Sequence, residues 1–92
     1  MIRNNKSKTI LMADDDVDDR KLVEEALNEI FAGHCLECVK NGAELLDYLY
    51  RRKQFAGVSQ TPNLILLDLN MPGKDGRRVL HEIKGDPSLR HI

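Results

Sequence analysis

The run Leu64-Ile65-Leu66-Leu67 ends in a single carboxylate, Asp68, and Met71-Pro72-Gly73 then turns the chain away. Four apolar residues in unbroken succession leave no polar face for water. They predict a strand covered on both faces, as in the middle of a parallel sheet. Asp68 then stands at the carboxyl end of that strand, where open α/β sheets place ligand sites. On its own it would be an aspartate that ends a strand and caps a turn.

A second apolar strand, Ile10-Leu11-Met12-Ala13, runs straight into Asp14-Asp15-Asp16. If the two strands are parallel neighbours, their carboxyl ends lie about 4.8 Å apart. Asp14, Asp15 and Asp68 then share one small volume, where mutual repulsion raises at least one pKa unless a cation neutralises the group. A hard divalent ion with oxygen ligands is the natural partner. Few carboxylates, with room for water and phosphate oxygens, favour Mg²⁺. One of the carboxylates is then placed to act as a nucleophile toward phosphorus.

Ninety-two residues allow one small domain, and a net charge of −1 gives no overall attraction to nucleic acid or membrane. The charge is unevenly placed, because five of the nine aspartates fall between Asp14 and Asp19. Residues 1–8 form a polar N-terminal tail without the apolar core of a signal peptide, and no apolar run reaches transmembrane length. These features predict a cytoplasmic protein. The two cysteines make a C-x-x-C, Cys35-Leu36-Glu37-Cys38, preceded by His34. The segment alternates like a short strand, so the thiols point to opposite faces, and no second pair completes a metal site. They are expected to be buried or half-buried thiols.

Taken in order, strand one spans Lys8 to Ala13, and Asp16 is the N-cap of a helix from about Val17 to Phe31. Asp18 and Asp19 lie in its first turn, Leu22, Val23, Ala26, Leu27 and Ile30 form its apolar stripe, and Gly33 ends it. A polar edge strand follows near Cys35–Val39. Asn41-Gly42 opens a second helix with the stripe Leu45, Leu46, Leu49 and Tyr50, closed by the solvated cations Arg51-Arg52-Lys53. Gln54 to Asn63 reads as a polar linker to the Leu64–Leu67 strand. Asp75-Gly76 begins a third helix carrying Val79, Leu80 and Ile83, with Arg77 and Arg78 outward, and Asp86-Pro87 breaks it. The order β-α-β-α-β-α predicts a parallel sheet with helices on both sides.

The paired acids Asp14-Asp15 and the block Leu66-Leu67-Asp68-Leu69-Asn70-Met71-Pro72-Gly73-x-Asp75-Gly76 resemble the receiver domain of two-component response regulators. The helix Asn41-Gly42-x-Glu44-Leu45-Leu46-Asp47-Tyr48-Leu49 and the ending Lys84-x-Asp86-Pro87-x-Leu89-Arg90 narrow the resemblance. They are similar to single-domain regulators of the group that includes partners of bacterial phytochromes. The resemblance implies a flavodoxin-like (CheY-like) doubly wound sheet, of which residues 9–92 supply the β1-α1-β2-α2-β3-α3 part. It implies Asp68 as phosphoacceptor, with a histidine kinase or phosphotransfer protein as donor. It also implies an Mg²⁺ site of Asp14, Asp15, Asp68 and the backbone carbonyl of Asn70, Asp14 acting mainly through water.

The resemblance further implies an unidentified downstream protein partner and no catalysis beyond the domain's own phosphorylation and dephosphorylation, while the near-neutral charge and the lack of a long apolar run predict no nucleic-acid or membrane binding. A receiver has five strands, and this chain stops at His91-Ile92 where a fourth is due. The switch Thr or Ser and the switch Lys of the family therefore have no counterpart here. The expectation is an incomplete receiver, or one completed by another chain. The Leu64–Leu67 edge would be unpaired and one sheet face bare, which makes a homodimer possible.

Three rivals are weaker or remain beside this reading. Asp14, Asp16, Asp18 and Glu25 match EF-hand loop positions, but Asp19 stands where that loop needs Gly, and a strand precedes it. A haloacid-dehalogenase-type phosphatase requires an acid where Asn70 stands. A phosphorylation-independent interaction module is the third.

Overall fold

The computed structural model describes residues 8–30, 33–69 and 76–92. Its elements are β1 (Thr9–Ala13), α1 (Val17–Ile30), β2 (Cys35–Val39), α2 (Gly42–Leu49), a 3₁₀ turn (Lys53–Phe55), β3 (Leu64–Leu67) and α3 (Gly76–Gly85). The strands form one parallel sheet in the order β2-β1-β3, the order of the first three strands of a flavodoxin-like fold. Most of residues 1–8, the expected tail, lie outside the described residues, as do Phe31 and residues 70–75.

The middle of the sheet belongs to β1, all five of whose residues are buried. The Leu64–Leu67 run, whose unbroken apolar pattern reads as a central strand, pairs with β1 on one side, and its other edge has no partner among the described residues, the unpaired edge expected for it. Leu64 remains 47% exposed, and Ile65, Leu66 and Leu67 are half-buried. An unbroken apolar run reports that both faces are covered to some degree. It does not report pairing on both edges, and among the described residues only one edge is paired.

Strand parity separates the two faces. Leu11, Ala13 and Val39 pack with Leu45, Leu46 and Tyr48 of α2 and Val79 and Ile83 of α3 in the hydrophobic core. On the opposite face, Met12 and Leu66 line a cleft together with Val23 of α1. That side is thinly covered. No α1 residue is buried, and of its predicted stripe only Val23 and Leu27 reach half-burial, whereas Leu22 and Ile30 are 64% and 68% exposed. The periodicity located the helix and its apolar side correctly, while the degree of burial along that stripe varies from residue to residue.

Local chemistry sets the helix ends. Asp16 is the N-cap of α1, its Oδ1 accepting from the backbone N–H groups of Asp18 and Asp19 at 2.9 and 3.3 Å. Asn41 caps α2 by accepting from the N–H of Glu44, whose carboxylate reaches back to the N–H of Lys40. The α2 exit is a Schellman-type turn. The N–H of Arg51 donates to the Tyr48 carbonyl at 3.1 Å and that of Arg52 to the Asp47 carbonyl at 2.8 Å. Arg51 therefore occupies the left-handed position usually held by glycine, with φ 57°.

The basic triplet is thus more than a solvated helix end. Arg52 and Lys53 fold back onto the buried Asp47 carboxylate at 3.1 and 3.6 Å. Two assignments within α2 also change. Tyr48, not Tyr50, joins the core, stacking at a tilt on Phe55 with centroids 5.3 Å apart. Tyr50 is exposed and donates its hydroxyl to Asp86 at 2.7 Å, tying α2 to the turn after α3. The residue after the helix rotates outward because the chain has already left the 3.6-residue period there. Gln54–Asn63 is likewise not simply polar, since Phe55 and Val58 pack against the core and Pro62 is buried. In α3, Val79 and Ile83 are buried as expected, and Leu80 stays 42% exposed over the β3 edge.

The cysteines, expected buried or half-buried, are both free and exposed because β2 is an outer strand with little covering it. Each thiol is held above its ordinary pKa, Cys35 chiefly by its hydrogen bond to Glu37 and Cys38 chiefly by loss of solvent around the sulfur. That depresses thiolate reactivity at neutral pH.

The strained α2 exit yields a prediction. Arg51→Gly should raise stability by about 0.5–1 kcal/mol, because removing the left-handed penalty exceeds the added backbone entropy of glycine. The urea midpoint measures it, and an unchanged or lower midpoint would show that Arg51 contributes more than its backbone strain costs.

Candidate metal centre

The register of β1 with its neighbours determines where the acids fall. Ala13 lies opposite Leu67 in β3 and Val39 in β2. One residue further, the N–H of Asp68 donates to the Ala13 carbonyl at 3.0 Å, and the N–H of Asp14 donates to the Val39 carbonyl at 3.1 Å. Asp14 and Asp68 are thereby held at adjoining strand ends by backbone bonds that do not depend on their own side chains.

Asp14, Asp15 and Asp68 each offer a carboxylate oxygen, and these atoms lie within 4.8 Å of one another. Their exposure is graded. Asp14 is buried at 7%, Asp68 is half-buried and Asp15 is exposed. Asp14 Oδ1 also accepts from the N–H of Asp16 at 2.9 Å, which fixes the direction of that carboxylate and bends the chain into α1. The three predicted carboxylates are therefore brought together. Asn70, whose carbonyl was the fourth predicted ligand, lies outside the described residues.

The acids border an open cleft of about 470 Å³ lined by Met12, Ala13, Asp14, Asp19, Val23, Leu66, Leu67 and Asp68. Its wall is apolar and its mouth anionic. By sequence Asp19 is only a first-turn acid of α1, yet it lines this cleft. Repulsion from Asp16 raises its pKa above the ordinary 3.8, followed by loss of solvent and by repulsion from Asp14, Asp68 and Asp18. Sequence position gave no hint of this, because the approach of α1's first turn to β3 is a packing outcome.

Gly76 was also missed in this role. A Cβ on Gly76 would stand 2.6 Å from the Asp68 carbonyl oxygen and 2.7 Å from Leu69 Cα. The start of α3 thus packs directly on the backbone that carries the candidate phosphoacceptor, and only glycine leaves room. The signal available was the Asp75-Gly76 pair at the helix start, which reads equally well as turn chemistry alone.

A response regulator receiver domain model matches residues 10–92. The chain belongs to that family. It is 42% identical over 89 residues to the response regulator Rcp1 of Synechocystis, covering 97% of this chain and 60% of Rcp1. This receiver sequence therefore spans about three-fifths of the length of that relative. The crystal structure of the phosphorylated cyanobacterial phytochrome response regulator RcpA superposes with a TM-score of 0.87 at 44% identity, over 95% of this chain and 61% of that one. The Mn²⁺-bound form of Rcp1 gives 0.83 at 42% identity, over 90% and 59%.

The residues present suit such an ion. All three donors are hard carboxylate oxygens, the class that selects Mg²⁺ and Mn²⁺ over softer metals. A buried carboxylate beside two others is repelled by them, and a divalent cation would offset that repulsion. Among the described residues, no helix is long and apolar enough to cross a membrane.

Two outcomes are expected. Gly76→Ala should lose roughly 1–3 kcal/mol of stability as backbone meets the new methyl group, read from urea unfolding, and a parental midpoint would show that α3 can shift freely. Mg²⁺ should raise the melting temperature by mass action with a Kd of about a millimolar, since waters complete most of its shell. Asp15→Asn should remove most of that shift; an undiminished shift in the variant would exclude Asp15 as a ligand.

Proposed function

We propose that this chain is the phosphoacceptor part of a two-component response regulator, with Asp68 taking a phosphoryl group from a histidine kinase or phosphotransfer protein. The observation that carries the reading is the convergence of Asp14, Asp15 and Asp68 at adjoining strand ends in a chain of the receiver family. The similarity to Rcp1 and RcpA supports placing it among phytochrome-linked regulators. Residues 9–92 then correspond to the β1-to-α3 part of the receiver and residues 1–8 to a polar tail, in a protein acting in the cytoplasm.

In this reading an Asp68 carboxylate oxygen forms a bond to phosphorus while the bond from phosphorus to the donor's imidazole nitrogen breaks. The imidazole leaves with the electron pair of that bond. Asp68 suits the task because its backbone is anchored to β1 and packed under Gly76, so the nucleophile is held in place before the donor arrives. Asp14, Asp15 and Asp68, with the Asn70 carbonyl, would hold Mg²⁺, which would supply positive charge against the phosphoryl oxygens. The chain would catalyse nothing beyond its own phosphorylation and dephosphorylation, and would pass the signal to another protein.

Acetyl phosphate with Mg²⁺ should label the protein with phosphate that is stable to acid and lost in base. Asp68→Asn should abolish the label, because the amide is no nucleophile. Labelling of that variant at the parental level would assign the phosphate to another residue.

A further inference from the structure

We propose that Asp19 serves the acidic cleft as a fourth carboxylate, strengthening divalent-cation binding through space without joining the ligand set. The inference rests on the reading of Asp14, Asp15 and Asp68 as the cation site and adds a residue from a different element. The geometry comes from the cleft itself. Asp19 lines it from the first turn of α1, facing Asp14 and Asp68, which border it from the sheet. The other acids of that turn, Asp16 and Asp18, are absent from its lining.

The electrostatics agree with the geometry. Asp19 ionises less readily than an ordinary aspartate, first because of Asp16 and loss of solvent, and then because Asp14 and Asp68 of the cleft also oppose its charge. Coupling of this kind is reciprocal. A charge that is destabilised by the acids of the cleft also raises the negative potential at the place where a cation would sit. Asp19 is also free of the N-cap bonds to carboxylates that occupy Asp14 and Asp16, whose oxygens accept backbone N–H groups.

The same charge opposes an approaching anion. A small free phosphodonor must pass Asp19 to reach Asp68, whereas a protein donor can neutralise or displace the repulsion with cations of its own. Asp19 would therefore favour the cation and disfavour unaccompanied anionic donors.

The test compares the parent chain with Asp19→Asn, Asp18→Asn and Asp15→Asn by isothermal titration with Mg²⁺ alone. Asp18→Asn is the control for net charge, since it removes one carboxylate from the same turn but not from the cleft. Asp19→Asn should weaken Mg²⁺ binding by roughly two- to tenfold at low salt, more than Asp18→Asn, and the difference should shrink when salt screens the pair. Labelling of Asp19→Asn by acetyl phosphate at saturating Mg²⁺ should run faster than in the parent. Equal Mg²⁺ affinity in Asp19→Asn and the parent, or equal losses in the Asp18 and Asp19 variants, would overturn the inference. If at the same time Asp15→Asn still loses binding, the cation site itself stands; loss of nothing in Asp15→Asn would instead bring down both.

Discussion

The ladder that β1 forms with β2 and β3 is the constraint on which the rest depends. Its last bonds, from Asp68 to Ala13 and from Asp14 to Val39, force carboxylates from two strands to one place. Two unit charges about 4–5 Å apart repel by roughly 1–4 kcal/mol, depending on how wet the site is. A typical backbone hydrogen bond contributes a net ~1 kcal/mol. A single bond of that size is at best a match for such repulsion. The whole sheet holds the acids together, through a fully buried central strand and the packing of Leu11 and Ala13 beneath it. The sheet thus keeps in place a cluster of negative charge that a divalent ion would relieve.

The two faces of the sheet are unequal, and the inequality shapes the site. On one side α2 and α3 close a continuous core that includes Leu45 and Val79 at full burial. On the other, α1 lies over Met12 and Leu66 with much of its own apolar stripe still exposed. The cleft beside Asp68 opens on this thinly covered side, between α1 and β3.

Backbone geometry is held by devices of two opposite kinds. At Gly76 a missing side chain allows α3 to touch the Asp68 backbone. At the α2 exit a full-sized Arg51 is accepted in a left-handed position. The following cations, Arg52 and Lys53, reach the buried Asp47 and help to fix the same turn. Asp47 and Asp86 both look like ordinary surface acids in the sequence. One anchors two cations, and the other accepts from Tyr50 and Ser88 across the end of α3, which holds its carboxyl below the ordinary aspartate range.

Much of this was legible before any coordinates. The 3.6-residue stripes, the Asp16 and Asn41 caps and the Asp86-Pro87 break placed the three helices nearly to the residue. The alternation at Cys35–Val39 gave β2, and the acids following two apolar strands gave the site, because parallel neighbours with short connections leave few other arrangements. What tertiary structure alone decided was pairing and exposure. A run such as Leu64–Leu67 reports apolar surroundings but not whether one or two strands lie beside it. The spacing of Leu22 and Ile30 sets their side of α1 but not how much sheet lies below. The exposure of the cysteines, the exchange of Tyr48 for Tyr50 in the core and the turn of Asp19 toward Asp68 have the same origin. Each depends on contacts between residues far apart in the chain, and local periodicity carries no record of them.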